Sequence, residues 1–127
     1  MFLKPIGIIH TPFKDTAPKQ TIYSNAEGIV EIFEKYKEGL NGLEKYSHII
    51  LIYYFHLSKD YELVVNGKGV FATRSPRRPN PIGLSVVRLK KIDGRKLIVE
   101  NIDVIDKTPL IDIKPFIPEI DCPKINP

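Results

Sequence analysis

Apolar residues along this chain fall in short, β-branched runs separated by polar breaks that carry proline or glycine. Residues 3–13 hold Ile6, Ile8 and Ile9 and end at Thr11-Pro12, which predicts an opening strand. Residues 14–24 are polar, contain Pro18 and lack periodicity, so a loop is expected. Asn25 suits a helix cap and Glu27 its positive first turn. Ile29, Ile32, Phe33 and Tyr36 then recur at helical spacing up to Gly39, predicting the one convincing helix over residues 26–39. A turn is expected over 41–46. Residues 48–57 are strongly apolar, β-branched and aromatic, as in a buried strand, and 68–73 reads as another. Residues 84–91 and 96–104 flank Asp93-Gly94, a dipeptide suited to a type I′ hairpin turn. A last short strand is expected over 110–113, stopped by Pro115, with residues 118–127 irregular. Many strands, short turns and one main helix predict a mainly β fold, either a small β-barrel or a strongly curved mixed sheet.

At 127 residues and 43% hydrophobic content, one domain spanning 1–127 with its own core is expected. The single cysteine, Cys122, excludes an internal disulfide and a cysteine-rich zinc site, and nothing near it in sequence marks it as reactive. Met1 to Pro5 do not open a signal peptide, and the apolar run 49–55 is far below the roughly 20 residues of a membrane span. A soluble, cytoplasmic protein with no membrane partner is expected. The net charge of +4 is unevenly distributed. Arg74, Arg77, Arg78, Arg88, Lys90, Lys91, Arg95 and Lys96 lie in one short segment, while acidic residues gather between Glu27 and Glu44 and in the tail. This asymmetry favours a basic face for an anionic partner; the alternative is a charged strand edge that discourages pairing.

The segment 71–85, Phe-Ala-Thr-Arg-Ser-Pro-Arg-Arg-Pro-Asn-Pro-Ile-Gly-Leu-Ser, is the densest in candidate chemistry. Pro76, Pro79 and Pro81 fix their own φ and hold Ser75, Arg78 and Asn80 away from helix. A loop this stiff loses little entropy when it binds, so its arginines are presented in a fixed arrangement, as a carboxylate or phosphate site requires. Other chemistry is missing: the chain has no G-x-G-x-x-G, P-loop, H-E-x-x-H or Cys-x-x-Cys, and no metal is expected. His10 and His48 read as structural; His56 ends a buried strand, where barrel sites often open. Any catalysis is expected to rest on a bound cofactor and positioning.

Residues 71–76 with 78–85 resemble the signature of the TrmO (TsaA-like) family of S-adenosylmethionine-dependent tRNA methyltransferases. So do residues 5–13 with Ala17-Pro18-Lys19-Gln20, the block 102–116 from Ile102 to Phe116, and Gly42-Leu43-Glu44 with Tyr46-Ser47-His48-Ile49. The resemblance covers nearly the whole chain. It implies a single-sheeted β-barrel, a homodimer with the cofactor site near the subunit interface, and methylation of the exocyclic nitrogen of threonylcarbamoyladenosine beside the tRNA anticodon.

Carried over residue by residue, the resemblance implies S-adenosyl-L-methionine contacts at Pro18, Lys19, Gln20, His56, Leu57, Arg74, Leu84, Asp106, Lys107, Thr108 and Pro109. It assigns no catalytic residue. Asp106, Tyr53 and Tyr54 are proton-acceptor candidates by chemistry alone. Arg77 and Arg88 are the freer cations for tRNA phosphates, whereas Arg78 is expected to tie the loop down. Three departures from the family pattern stand out: Lys19 stands for an arginine, Lys107 stands for a glycine, and no bacterial-type carboxyl-terminal domain is expected. A binding module without turnover, or a methyltransferase with another substrate, are the rival readings.

Overall fold

A computed structural model of the chain describes residues 1–125. Six of its eight strands close into an antiparallel barrel. The strands are β1 (Gly7–His10), β2 (Glu27–Ile32), β3 (His48–Tyr54), β4 (Val64–Val65), β5 (Lys68–Gly69), β6 (Ile82–Asp93), β7 (Lys96–Glu100) and β8 (Thr108–Pro115). The barrel order is β1-β2-β7-β6-β3-β8, and β4 and β5 form a separate two-stranded ribbon. Closure leaves the barrel strands with no unpaired edge. The expected mainly β barrel is therefore the fold, and the curved open sheet is not.

Alternation along the strands fills the barrel. Val30 and Ile32 of β2, Ile49, Leu51 and Tyr53 of β3, Val87 and Leu89 of β6, Leu97 and Val99 of β7 and Leu110 of β8 all point inward and are buried. Ile102 and Val104, between β7 and β8, complete the core. Gly7 lets β1 approach β2 closely, since a β-carbon there would run into the Glu31 carbonyl.

The expected helix over 26–39 is corrected. Its first half is strand β2, and only Glu34–Leu40 is helical, as a 3-10 segment. The sequence Glu-Gly-Ile-Val-Glu-Ile alternates outward and inward, and β1 and β7 each need β2 as a hydrogen-bonding partner. Ile29 faces outward, so its helical spacing to Ile32 and Phe33 was a coincidence of two faces of a strand.

Smaller corrections follow the same physics. The expected strand over 68–73 survives only as β5, then turns into a 3-10 segment at Val70–Ala72. The β6–β7 hairpin pairs Asp93 with Lys96, so Gly94 and Arg95 sit at its centre, not Asp93-Gly94. Only Gly94 has positive φ, which a type I′ turn would require at both central residues. The carboxyl segment includes one helical turn, α1 (Pro118–Asp121), where irregular chain was expected; residues 126–127 lie outside the described residues. Cys122 is a free, exposed thiol. Among the described residues, no helix is long and apolar enough to cross a membrane.

Candidate functional site

Above one end of the barrel lies a cleft of about 1130 Å³. That is ample for a nucleoside-sized ligand, small-molecule sites running to roughly 1,000 Å³. Five pieces of chain wall it: the loop after β1, the end of β3 with the chain just after it, the β4–β5 ribbon, the arginine-proline loop leading into β6, and the segment from Asp103 into β8.

The arginine-proline loop is bonded onto itself. Arg78 Nη1 donates to the carbonyls of Thr73 (3.0 Å) and Ser75 (3.1 Å), as its expected structural role requires. Thr73 Oγ1 donates to the Val70 carbonyl at 2.8 Å, and the Phe55 amide donates to the Pro81 carbonyl at 2.7 Å, tying the loop to the end of β3. Arg77 lines the cleft but reaches across to Glu62, with Nη1 to Oε1 at 2.8 Å. Arg74 also lines the cleft, is exposed, and has no carboxylate partner among the described residues. Its cation is thus held at the cleft wall by a loop whose other arginines are occupied.

The structure brings Pro18, Lys19, Gln20, His56, Leu57, Arg74, Leu84 and Thr108 together around this cleft, although they are spread over 90 positions of sequence. Leu57 and Leu84 are exposed apolar side chains on its wall, suited to the faces of a ring system. His56 Nδ1 lies 3.5 Å from Thr108 Oγ1, whose proton goes to the Ile105 carbonyl at 2.6 Å.

Asp106, Lys107 and Pro109 lie beside the cleft but do not line it. Asp106 accepts from the Thr11 amide at 2.8 Å and from Lys14 Nζ at 2.7 Å, pinning the start of the 14–24 loop. The Lys14 hydrogen bond holds its carboxyl below the usual carboxylate range, which suits a clasp and not a proton acceptor. Lys107 has a left-handed backbone (φ 69°), the region that favours glycine, and Nζ meets His10 Nδ1 at 3.1 Å. The lysine thus occupies a backbone conformation that glycine adopts at no steric cost. His10 also bonds Glu31 at 3.1 Å, and His48 bonds Ser47 and packs edge-on against Phe116; both stand outside the cleft, as structural histidines.

Arg88 lies on the outer face of β6, away from the cleft, 3.9 Å from Glu100. Elsewhere in the β6–β7 basic cluster Lys90 pairs with Glu27 at 2.7 Å and Arg95 with Glu34 at 3.0 Å, while Lys91 and Lys96 have no carboxylate within 4 Å among the described residues.

One feature of the cleft was not foreseen. Tyr53, Ser85 and Asp103 form a hydrogen-bonded chain at its floor, with Tyr53 Oη to Ser85 Oγ at 2.7 Å and Ser85 Oγ to Asp103 Oδ1 at 2.6 Å. Burial, helped by the Asp103 charge, pushes the Tyr53 phenol up to about 12, and burial also raises the Asp103 carboxyl above its ordinary range. Tyr54, the other tyrosine candidate, is exposed on the outer face.

A small closed barrel with a ring-sized, cation-bearing cleft at its mouth is the architecture defined so far. Residues 8–122 match the tRNA-methyltransferase O N-terminal domain, and the chain belongs to that family. It is 50% identical to a protein of Pyrococcus abyssi named "Probable S-adenosyl-L-methionine-binding protein", over 93% of this chain and 69% of that one. It is 36% identical to the mouse tRNA (adenine(37)-N6)-methyltransferase, over 98% of this chain and 32% of that protein. The structure of TrmO from Pseudomonas aeruginosa superposes with a TM-score of 0.84 at 38% identity, covering 95% of this chain and 58% of the other. The chain thus spans a little over half the length of that TrmO chain.

Proposed function

We propose that this chain binds S-adenosyl-L-methionine in the cleft and transfers its methyl group to the exocyclic N6 of an adenosine in tRNA, the base being threonylcarbamoyladenosine beside the anticodon. Membership of a tRNA methyltransferase family supports the reaction class. The single observation that carries the cofactor site is the convergence of eight of its eleven expected contact residues on one cleft with a free arginine.

The donor set fits the ligand. Arg74 offers a guanidinium to the methionine carboxylate, a charge-assisted pair that favours two parallel hydrogen bonds. Leu57 and Leu84 flank the adenine, while Lys19, Gln20 and the backbone around Thr108 and Pro109 offer polar groups to its edge and ribose. When bound, the cofactor supplies an activated methyl group on a sulfonium. The protein's part is to hold the acceptor nitrogen in line and about 3 Å from that carbon, and to exclude water. Arg77 at the rim and Arg88 on the outer face are the proposed phosphate contacts, which position the tRNA without reading it.

We also propose a homodimer. Tyr54 and Leu84 are exposed on the outer face of β3 and β6, with Ile50, Ile52 and Val86 half-buried beside them in register. This apolar strip borders the cleft through Leu84, so a second copy seated on it would close that wall.

Incubation with methyl-labelled cofactor and tRNA carrying or lacking the threonylcarbamoyl group tests the reading. Label is expected in N6-methylated threonylcarbamoyladenosine after digestion to nucleosides. Bound cofactor with no label in any nucleoside would make the chain a binding module. Label elsewhere would assign another substrate.

A further inference from the structure

The barrel interior is apolar except at its mouth, where Ser85 and Asp103 stand together across 18 positions of sequence. Ser85 is the inward-facing hydroxyl of β6 and is 3% exposed. Its hydroxyl has one proton, and Asp103 Oδ1 at 2.6 Å receives it; Tyr53, 2.7 Å away, must then donate its own proton to Ser85 Oγ. Every donor in the chain therefore points toward the Asp103 carboxylate.

Tyr53 is locked in turn. Its ring meets Phe55 edge-on, with centroids 5.5 Å apart at 86°. Gly83 on β6 makes room for both rings, because a β-carbon there would run into Tyr53 and Phe55. Tyr53, Ser85, Phe55 and Gly83 thus serve to orient one carboxylate. Hydrophobic residues would fill the same space without the desolvation cost of a partly buried charge.

Asp103 lines the cleft, and its second oxygen, Oδ2, accepts from no side chain among the described residues. Asp103 is half-buried and its carboxyl also takes a hydrogen bond from its own backbone amide, and because the residue lines the cleft the carboxyl is within reach of a ligand there. The charged or titratable groups sharing the wall with it are Tyr53, His56, Lys59 and Asp60 from β3 and the chain after it, Lys68 from β5, Arg74, Arg77 and Arg78 from the proline loop, and Lys19 from the loop after β1.

We propose that Asp103 is the proton acceptor for the methyl transfer proposed above, with Oδ2 taking the hydrogen of the substrate nitrogen and with Ser85 and Tyr53 acting as positioning residues. The inference rests on that methyltransferase reading. An exocyclic adenosine nitrogen is a weak nucleophile because its lone pair feeds the ring, so loss of its proton must accompany attack. In the balanced step the N–H bond breaks with its proton passing to Asp103 Oδ2, and the nitrogen pair forms the N–CH₃ bond. The carbon–sulfur bond breaks with its electrons left on sulfur. The carboxylic acid then returns its proton to water through the open cleft. The raised proton affinity that burial gives Asp103 makes it a better acceptor than an exposed carboxylate. Tyr53, a donor with a pKa near 12, is excluded as the base at neutral pH.

The test uses the full chain, its Asp103→Asn, Ser85→Ala and Tyr53→Phe variants, and three readouts. Calorimetry gives the affinity for S-adenosylhomocysteine, carbon NMR of labelled aspartate gives the Asp103 titration, and single-turnover methyl transfer to tRNA gives the rate against pH. Asp103→Asn is expected to keep product affinity within about twofold and to lose about 10²–10⁴-fold in transfer rate, the usual worth of a general base. The wild-type rate should rise with pH along the Asp103 titration seen by NMR. Ser85→Ala and Tyr53→Phe should move that titration and the acid limb of the rate together, by the same amount. Transfer that survives Asp103→Asn overturns the role, as does an acid limb that ignores the NMR titration. A loss of product affinity above tenfold assigns Asp103 to the cofactor's ammonium and also overturns it. Wild-type protein that transfers no methyl group overturns the parent reading and this one together, whereas active wild type beside active Asp103→Asn overturns this one alone.

Discussion

Two stretches of this chain are equally basic in sequence and unlike in space. The β6–β7 hairpin carries Arg88, Lys90, Lys91, Arg95 and Lys96; Arg88, Lys90 and Arg95 each have a glutamate from β7, β2 or the 3-10 segment after β2 within 4 Å, and only Lys91 and Lys96 have none among the described residues. The arginine-proline loop carries Arg74, Arg77 and Arg78. There one arginine clamps the loop, one is paired at the rim, and Arg74 is left without an anion in the cleft wall. Clustering of positive charge along a sequence therefore says little about net field. What counts is whether the neighbouring strands supply acids, and a barrel's closure forces strand neighbours on the hairpin that a loop does not have.

The contrast can be broken first through stability. Arg78→Ala removes two charge-assisted bonds and leaves two carbonyls without their donor. About 2 kcal/mol of folding stability should be lost, read from urea unfolding at constant m-value. Arg88→Ala, on an exposed and loosely paired position, should fall within about 0.5 kcal/mol of wild type. Equal losses at the two sites would remove the distinction between a built loop and a solvated face.

A smaller effect separates the two proposed phosphate contacts. Arg77→Ala and Arg88→Ala should each weaken tRNA binding, leave cofactor affinity in place, and flatten the slope of log affinity against log salt by about 1 per lost contact. Arg77, at the cleft rim, should show the full change. If both slopes equal that of wild type, the tRNA surface lies elsewhere.

Local chemistry made part of this legible in the sequence. The prolines at 76, 79 and 81 dictate a stiff loop wherever it lies, and alternating β-branched residues in 48–54 and 84–93 dictate strands. The strand at Glu27–Ile32 was hidden because an alternating segment with an outward isoleucine also satisfies a helical template; only the hydrogen-bonding needs of β1 and β7 decide it. The cleft residues could be gathered by resemblance, but not the reason they meet, which is barrel closure. The Tyr53–Ser85–Asp103 chain had no local signal at all. Ser85 sits in an inward alternation that reads as core, and its partners lie 32 positions before it and 18 after it. Lys107 shows the converse: the resemblance marks a departure from glycine, and the backbone there is left-handed and anchored to the Ile9 carbonyl through its amide.

Arg74 and the cleft around it are proposed to hold the cofactor. Titration calorimetry of S-adenosylmethionine and S-adenosylhomocysteine against wild type, Arg74→Ala and Arg88→Ala measures this directly. One bound ligand per chain is expected for wild type and Arg88→Ala, with affinity reduced by roughly 10–100-fold in Arg74→Ala, the worth of a charge-assisted hydrogen-bonded pair. No detectable binding to wild type, or equal affinity in Arg74→Ala, would contradict it.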